Sequence, residues 1–158
     1  MRKLVTPLLC LALFVQLTAC GRLVKLPTQP FDTALVAQLM ESDAFSEPLE
    51  PLDKDLVWIL YDMDASGLQE ADLTSAAGGC SAGATCEQVA VMVFASQASA
   101  IAAREHLDRW LAAQAESNRS YRPAEVPKLE KAILSQRDNT LLLAVAHNYD
   151  AVAKLINK

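Results

Sequence analysis

The sequence predicts an α+β domain in which an antiparallel sheet of about four strands, arranged as two hairpins, packs against helices. Short apolar runs rich in β-branched residues predict the strands, and two pairs of such runs flank loops of the kind that join hairpins. A longer run has the apolar spacing of an amphipathic helix. No β-α-β period repeats along the chain, which favours the α+β class. We expect one compact domain over 31–158.

Two short elements and the first hairpin are predicted in the first half of this domain. The predicted elements are a helix over 33–41, an apolar segment over 54–61, and strands over 67–76 and 88–95. Asp32 or Thr33 can cap the helix, and Asp53 can cap the apolar segment, whose short run fits a helix or a strand. The two strands flank a loop rich in glycine, alanine and serine, which predicts an antiparallel hairpin. The second strand is apolar on both faces, which predicts a central position in the sheet, where both faces of a strand are buried.

The longest helix and the second hairpin are predicted in the second half. The predicted elements are a helix over 96–118, a turn over 120–127, a short helix over 124–131, strands over 132–136 and 140–147, and a final helix that ends at Ile156. Ser96 or Ser99 can cap the long helix. Asn148 or Asp150 can cap the final helix. A polar turn at 137–139 between two apolar runs predicts a β-hairpin. The side chains expected in the buried stripe of the long helix are Ile101, Leu107, Trp110, Leu111 and Ala115.

The N-terminal segment has the three parts of a secretory signal peptide. Two basic residues start it, residues 4–15 are almost wholly apolar, and small residues precede Cys20. The apolar run is shorter than the ~20 residues of a membrane-spanning helix. Leu17-Thr18-Ala19-Cys20 has the form of a lipoprotein processing signal, which predicts removal of 1–19 and a diacylglycerol on Cys20. An ordinary signal peptide cut nearby and an uncleaved anchor are the alternatives.

Lipid on Cys20 would hold the domain close to a membrane, because residues 20–30 form a tether that reaches at most about 35 Å. Removal of 1–19 takes away two of the 14 basic residues and none of the 19 acidic ones, so the net charge changes from −5 to about −7. Such a chain is unsuited to nucleic acid or to a polybasic contact with anionic lipid. The expected location is the cell envelope, at the outer face of the cytoplasmic membrane or at the outer membrane of a double-membraned host.

Cys80 and Cys86 are the cysteines left once the signal peptide and Cys20 are set aside. In an exported protein, two cysteines in a small-residue loop predict a disulfide, which would stiffen the loop and contribute about 2 kcal/mol less any strain. Two free thiols and a redox-active pair are the alternatives. The spacing is not C-x-x-C, and no nearby Lys, Arg or His is expected to lower a thiol pKa, which argues against redox chemistry.

Several short motifs follow one another through the domain. They are Leu60-Tyr61-Asp62-Met63-Asp64, Glu87-Gln88-Val89-Ala90-Val91, Tyr121-Arg122-Pro123-Ala124-Glu125, Leu129-Glu130-Lys131-Ala132 and the strand Leu141–Val145. Together with the lipid signal and the long helix, their order over 31–157 resembles the bacterial lipoprotein family described as domain of unknown function 4358. The resemblance implies an envelope lipoprotein of unassigned activity, so it transfers no catalytic residue to this chain.

An acidic cluster offers carboxylates of the kind that bind Ca²⁺. Its members are Asp53, Asp55, Asp62 and Asp64. Counted from Asp62, Gly67 stands at the sixth position of a calcium-binding loop, but the twelfth position holds Leu73 in place of the closing carboxylate. A solvated acidic segment is therefore expected, with no metal ion and no cofactor.

The histidines and large aromatic residues are expected to be mainly structural. His106 and His147 are predicted to make local hydrogen bonds rather than to act in catalysis. The large aromatic side chains expected in or beside the core are Trp58, Tyr61, Trp110, Tyr121 and Tyr149. The functional alternative is a ligand or peptide groove with exposed, stacking tyrosines. Its residues would be Tyr61, Asp62, Asp64 and Tyr121.

Three kinds of function are compatible with this sequence. The first is a non-enzymatic binding or accessory domain for a small ligand, a peptide or an envelope protein, since no motif of serine hydrolases, zinc proteases or phosphate-binding loops occurs. The alternative is a carboxylate-based hydrolase of the cell envelope that uses Asp62, Asp64 or Glu87, which two carboxylates converging in a cleft would favour. A structural or assembly protein is the third, and a large exposed apolar patch would indicate it.

Overall fold

The computed structural model describes residues 29–157, and the predicted signal peptide, Cys20 and most of the tether lie outside them. This part of the chain forms one antiparallel sheet with helices on both faces. The helices are α1 (Leu35–Met40), α2 (Lys54–Leu60), α3 (Gln97–Tyr121), α4 (Val126–Glu130) and α5 (Tyr149–Ile156). The strands are β1 (Glu50–Leu52), β2 (Leu73–Cys80), β3 (Gln88–Phe94), β4 (Ile133–Arg137) and β5 (Thr140–Val145). None of these helices has the length and apolar content to span a bilayer.

The strand order is β1-β2-β3-β5-β4, so the two predicted hairpins lie side by side. β2 pairs with β3 and β4 with β5, and β3 and β5 join the hairpins in the centre. The α+β class and the antiparallel sheet are therefore confirmed. The prediction of about four strands missed β1, a three-residue strand at the edge with Pro51 at its centre. Proline argues against a strand in the sequence, but an edge strand tolerates it.

Alternating side chains of the central strands divide the interior into two layers. Ala90, Met92 and Phe94 of β3 face α2, α3 and α4. Val89 and Val91 face the other way, toward α1 and α5. The prediction that this strand is apolar on both faces and central is thus confirmed.

Three of the predicted helix caps are confirmed. The side chains of Asp53, Ser96 and Asn148 each accept a hydrogen bond from a backbone N–H in the first turn of α2, α3 and α5. The segment after Asp53, which fitted a helix or a strand, is therefore a helix. α1 begins later than predicted, because Asp32 Oδ1 accepts a hydrogen bond from Ala34 N at 2.8 Å in a turn that precedes the helix.

Two other predictions were wrong in detail. The strand predicted over 67–76 begins only at Leu73, because Gln69 and Asp72 exchange hydrogen bonds of 2.8 Å that close a 3-10 turn before it. Ile101, expected in the buried stripe of α3, is 46% exposed. Ile101 directly follows the buried Ala100, the first residue of the stripe that packs on the sheet. One residue corresponds to a rotation of about 100° around the helix axis, which turns the Ile101 side chain away from that stripe.

Candidate functional site

A cavity of about 250 Å³ opens at the end of the sheet where β2 leads into β3. We call the connecting residues 81–87 the cysteine loop, and the space beside them the cysteine-loop cavity. Cys80 and Cys86 both line this cavity. Trp110 of α3 and Leu129 of α4 give it apolar walls. Residues that are far apart in the sequence thus share one small, concave surface.

A buried ion pair lies at the end of the cysteine loop. Lys128 Nζ is 2.8 Å from Glu87 Oε1 and 3.0 Å from Glu125 Oε2. The side chain of Glu87 is fully buried. Ser46 donates to it twice, from its backbone N–H and from its hydroxyl, each at 2.7 Å. Both carboxylate oxygens of Glu87 therefore have donors.

Hydrogen bonds keep both ends of this ion pair charged. Burial raises the pKa of Glu87, but the hydrogen bonds from Lys128 and Ser46 outweigh it and hold the pKa below its ordinary value. Burial lowers the pKa of Lys128, but its bonds to Glu87 and Glu125 raise that pKa overall. The two carboxylates converge on an ammonium group rather than on open space, so their arrangement is structural.

Carboxylates also fix the backbone and hydroxyls of the cysteine loop. Glu125 Oε2 accepts a hydrogen bond from Cys86 N at 2.9 Å. Glu47 Oε1 accepts hydrogen bonds from the hydroxyls of Ser81 and Thr85, which lower the pKa of Glu47. The loop is therefore a shaped wall and not a free connection.

Arg122 is a fixed cation at the rim of the cavity. Its Nε donates to Asn118 Oδ1 at 2.9 Å, and its Nη1 donates to the carbonyls of Gly83 and Thr85 at 3.3 Å. Within residues 29–157, no carboxylate lies within 4.0 Å of its guanidinium. The hydrogen bonds of the described chain leave Nη2 available.

Cys80 and Cys86 are free thiols in the structure, and Cys86 Sγ lies 3.6 Å from Asn118 Oδ1. Burial raises the pKa of both thiols. The expectation that no cation lies near them was wrong, because Arg122 and Lys128 come from a distant part of the chain and lower the pKa of Cys86. Burial, with a neighbouring carboxylate, outweighs them. Since the thiolate is the nucleophile, neither cysteine is activated for redox chemistry.

The sheet register ends just before the second cysteine. Cys80 is the last residue of β2 and pairs with Gln88, whereas Cys86 lies in the cysteine loop, two residues before β3 begins. A disulfide between them would close this loop across the end of the β2–β3 hairpin. The pairing stays a prediction.

Two buried polar atoms at this end of the sheet have no hydrogen-bond partner among the described residues. Gln88 lines the cavity and is 7% exposed; its Nε2 donates to Cys86 O at 3.4 Å, and its Oε1 is unpartnered. Tyr61 is fully buried, and its hydroxyl is also unpartnered. Burial and the charge of Cys80 raise the pKa of Tyr61, so this hydroxyl stays protonated. Native proteins satisfy nearly all buried polar groups, so each of these two atoms requires a bound ligand, a water molecule or local strain to account for it.

The four residues of the predicted groove have different surroundings. They are Tyr61, Asp62, Asp64 and Tyr121. Tyr61 is buried, which agrees with the expected core packing and not with the groove alternative, and its ring meets Trp110 edge to face with 5.1 Å between ring centroids. Asp64 Oδ1 accepts a hydrogen bond from Trp58 Nε1 at 3.0 Å. Tyr121 is 88% exposed at the end of α3, as the groove hypothesis expected.

The acidic residues around α2 are exposed, and one of them caps the helix. Asp53 caps α2, Asp55 lies in its first turn, and Asp62 has a left-handed φ of 49° before a 3-10 helix. Within residues 29–157, no group of three or more histidine, cysteine or acidic side chains is placed to hold a metal ion. His106 Nε2 forms a hydrogen bond of 2.8 Å with the backbone oxygen of Tyr61, which confirms the structural role expected of that histidine.

α2 also presents an apolar face to solvent. Leu56 lies about one helical turn before Ile59 and Leu60, and all three side chains are exposed. Leu60 lines the cysteine-loop cavity as well. The apolar surface of α2 therefore continues to the mouth of the cavity.

The sequence analysis did not identify Gln88, Arg122, Glu125 or Lys128 as site residues. Glu125 and Lys128 are three residues apart, a helical spacing that could have indicated an ion pair. Gln88 opens a strand that is otherwise apolar, and a lone polar residue in such a strand was a usable signal. No local signal pointed to Arg122.

Comparisons with protein-family models, with curated proteins and with solved structures find no match. The resemblance to a bacterial lipoprotein family therefore stays an interpretation of the sequence motifs.

Glu87→Gln is expected to lower the free energy of unfolding at pH 7 by about 3 kcal/mol, because it leaves a partly buried ammonium without its main counter-charge. The pKa of Glu87 is held low in the folded protein. Its contribution to stability is therefore full above the ordinary glutamate pKa and is lost as the pH falls through the folded value. Urea unfolding from pH 7 to pH 3 should show the wild type and the variant converging in acid.

Glu116→Gln is the matched control, since Glu116 forms an exposed ion pair with Arg119 at 2.7 Å. Exposed pairs contribute about 0–1 kcal/mol. Equal losses in the two variants, or a Glu87→Gln effect that does not change with pH, would contradict the structural role given to Glu87.

The exported protein is expected to carry the Cys80–Cys86 disulfide. Intact mass of protein alkylated without reduction should show both thiols blocked, and reduction should open them. Cys86→Ser should leave Cys80 reactive toward the alkylating reagent. Full alkylation of both cysteines in exported protein before reduction would disprove the pairing.

Proposed function

We propose that this chain is a lipid-anchored lipoprotein of the bacterial cell envelope, and that its domain is a non-enzymatic binding module with its ligand site in the cysteine-loop cavity. The observation on which the binding function depends is the buried, unpartnered Oε1 of Gln88. An unpaired buried acceptor costs about 1–3 kcal/mol. A ligand that donates a hydrogen bond to it would remove that cost.

The anchor is supported by Leu17-Thr18-Ala19-Cys20 and by the way the chain enters the domain. Phe31 N donates to Thr140 Oγ1 at 2.8 Å, and the guanidinium of Arg137 lies 4.1 Å from the centroid of the Phe31 ring. Residue 31 is therefore fixed to the sheet, which leaves a connection of about ten residues from Cys20. A lipid on Cys20 would keep the domain within a few nanometres of the bilayer.

The hydrolase alternative has less support. Two of the carboxylates predicted as catalytic candidates already have partners. Glu87 is paired with Lys128 and accepts hydrogen bonds from Ser46, and Asp64 accepts a hydrogen bond from Trp58. A general acid or base needs a carboxylate with a proton to exchange with substrate. The cavity instead offers a neutral acceptor, from Gln88, and a cation, from Arg122, which suit binding.

Cys20→Ser is expected to abolish labelling when the full chain is expressed in a bacterial host that is fed a fatty-acid analogue. The thioether to diacylglycerol forms only at the lipidated cysteine, so the label should be lost completely. Cys10→Ser, within the signal peptide, is the control and should keep it. Equal label in the wild type and in Cys20→Ser would refute the anchor.

Gln88→Leu is expected to raise the free energy of unfolding by about 1 kcal/mol, because the cost of the buried, unsatisfied Oε1 exceeds the contribution of the long 3.4 Å hydrogen bond from Nε2 to Cys86 O that is also lost. Thermal and urea unfolding measure the change. Thr140→Val is the contrast, since the Thr140 hydroxyl accepts from Phe31 N and donates to Arg137 O. It should destabilise by about 1–2 kcal/mol. A loss of stability in Gln88→Leu would show that Gln88 is structural.

A further inference from the structure

We infer that the cysteine-loop cavity binds the carboxyl-terminal residue of a peptide, with the terminal carboxylate on Arg122 and an amide N–H of the peptide on Gln88 Oε1. The inference rests on the proposed binding function and names the ligand of that same site. Four features of the cavity lead to it.

The first feature is the fixed cation. Three hydrogen bonds from Nε and Nη1 hold the guanidinium of Arg122 against Asn118 and the cysteine loop. Its charge has no carboxylate partner within 4.0 Å in the described chain. An immobilised guanidinium with a free Nη2 is suited to a carboxylate, since charge-assisted hydrogen bonds are about twice as strong as neutral ones.

The second feature is the neutral acceptor. Gln88 Nε2 donates to Cys86 O, which orients the amide and leaves Oε1 without a donor. A peptide N–H is a neutral donor of this kind. A free amino acid would bring a charged ammonium group, which needs a carboxylate when it is buried. Glu87 lines the cavity, but its oxygens are already occupied by Lys128 and Ser46.

The third feature is the size and lining of the cavity. Its volume of about 250 Å³ is below the range of ~300–1,000 Å³ that whole drug-sized ligands occupy. Leu60, Trp110 and Leu129 provide apolar walls. The space suits one residue with an apolar side chain rather than a larger molecule.

The fourth feature is the exposed apolar face of α2, which continues from the cavity mouth. Leu56 lies one turn before Leu60, Ile59 lies next to Leu60, and both are exposed. The preceding residues of a peptide would lie across this face. A ligand that ended within the cavity would leave it uncovered, so the surface favours a peptide over a small metabolite.

The test is calorimetric titration of the full chain, purified in detergent, with three probes. The probes are N-acetyl-Ala-Ala-Ala-Leu with a free carboxylate, the same peptide as its carboxamide, and free leucine. We expect the acid peptide to bind, the carboxamide to bind at least about tenfold more weakly, and free leucine not to bind detectably. Equal affinity for acid and carboxamide, or tighter binding of free leucine, would overturn the inference.

Titrations of three variants test which side chain contacts the carboxylate and which contacts the amide of the peptide. Arg122→Gln should weaken the acid peptide at least about tenfold and leave the carboxamide unchanged. Gln88→Leu should weaken both. Arg119→Gln is the control, because Arg119 lies on the same end of α3 but is paired with Glu116 and Glu130, and it should bind the acid peptide as the wild type does.

Two different sets of results would reject the peptide ligand alone and the proposed binding function as a whole. Lack of binding by every probe, with Gln88→Leu more stable than the wild type, would reject the peptide and keep a binding site for another ligand. Lack of binding together with a destabilised Gln88→Leu would reject both.

Discussion

The contact between Glu87 and Lys128 joins parts of the fold that the sequence keeps apart. Glu87 precedes the central strand β3, Lys128 lies on α4, and Ser46 stands between α1 and β1. A fully buried carboxylate costs several kcal/mol without partners, so these donors must stay in place while Glu87 is ionised. α4 has only five residues, too few for a stable isolated helix. Its position therefore depends on this ion pair and on apolar contacts with the core.

The same network gives the cysteine-loop cavity its shape. Glu125, which shares Lys128 with Glu87, also accepts the N–H of Cys86. Glu87, a catalytic candidate in the sequence, and Glu125, which was not one, therefore both help to fix the cysteine loop. A binding site whose walls are fixed before the ligand arrives loses less entropy on binding. In the proposed function, the buried and unsatisfied Oε1 of Gln88 beside these walls selects the ligand by hydrogen bonding.

Local patterns in the sequence predicted most of the fold and little of the site. The hairpins, α3 and the caps at Asp53 and Ser96 follow from periodicity and capping chemistry over a few residues. β1 was missed because its pairing with β2, and not its composition, makes it a strand. The cavity was missed because Gln88 and Arg122 meet only through the packing of α3 beside the sheet. The hypothesis that Tyr61 is exposed failed for the same reason, since Trp110 buries it from a distant helix.

Asn118 links the cysteines to the cation. Its Oδ1 accepts from Cys86 Sγ at 3.6 Å and from Arg122 Nε at 2.9 Å. The cysteine loop also supplies the Gly83 and Thr85 carbonyls that accept hydrogen bonds from Arg122. Since Cys86 belongs to this loop and shares Asn118 with Arg122, the position of the guanidinium depends on the conformation of the loop. The two thiols and the cation are therefore parts of one local network at the cavity.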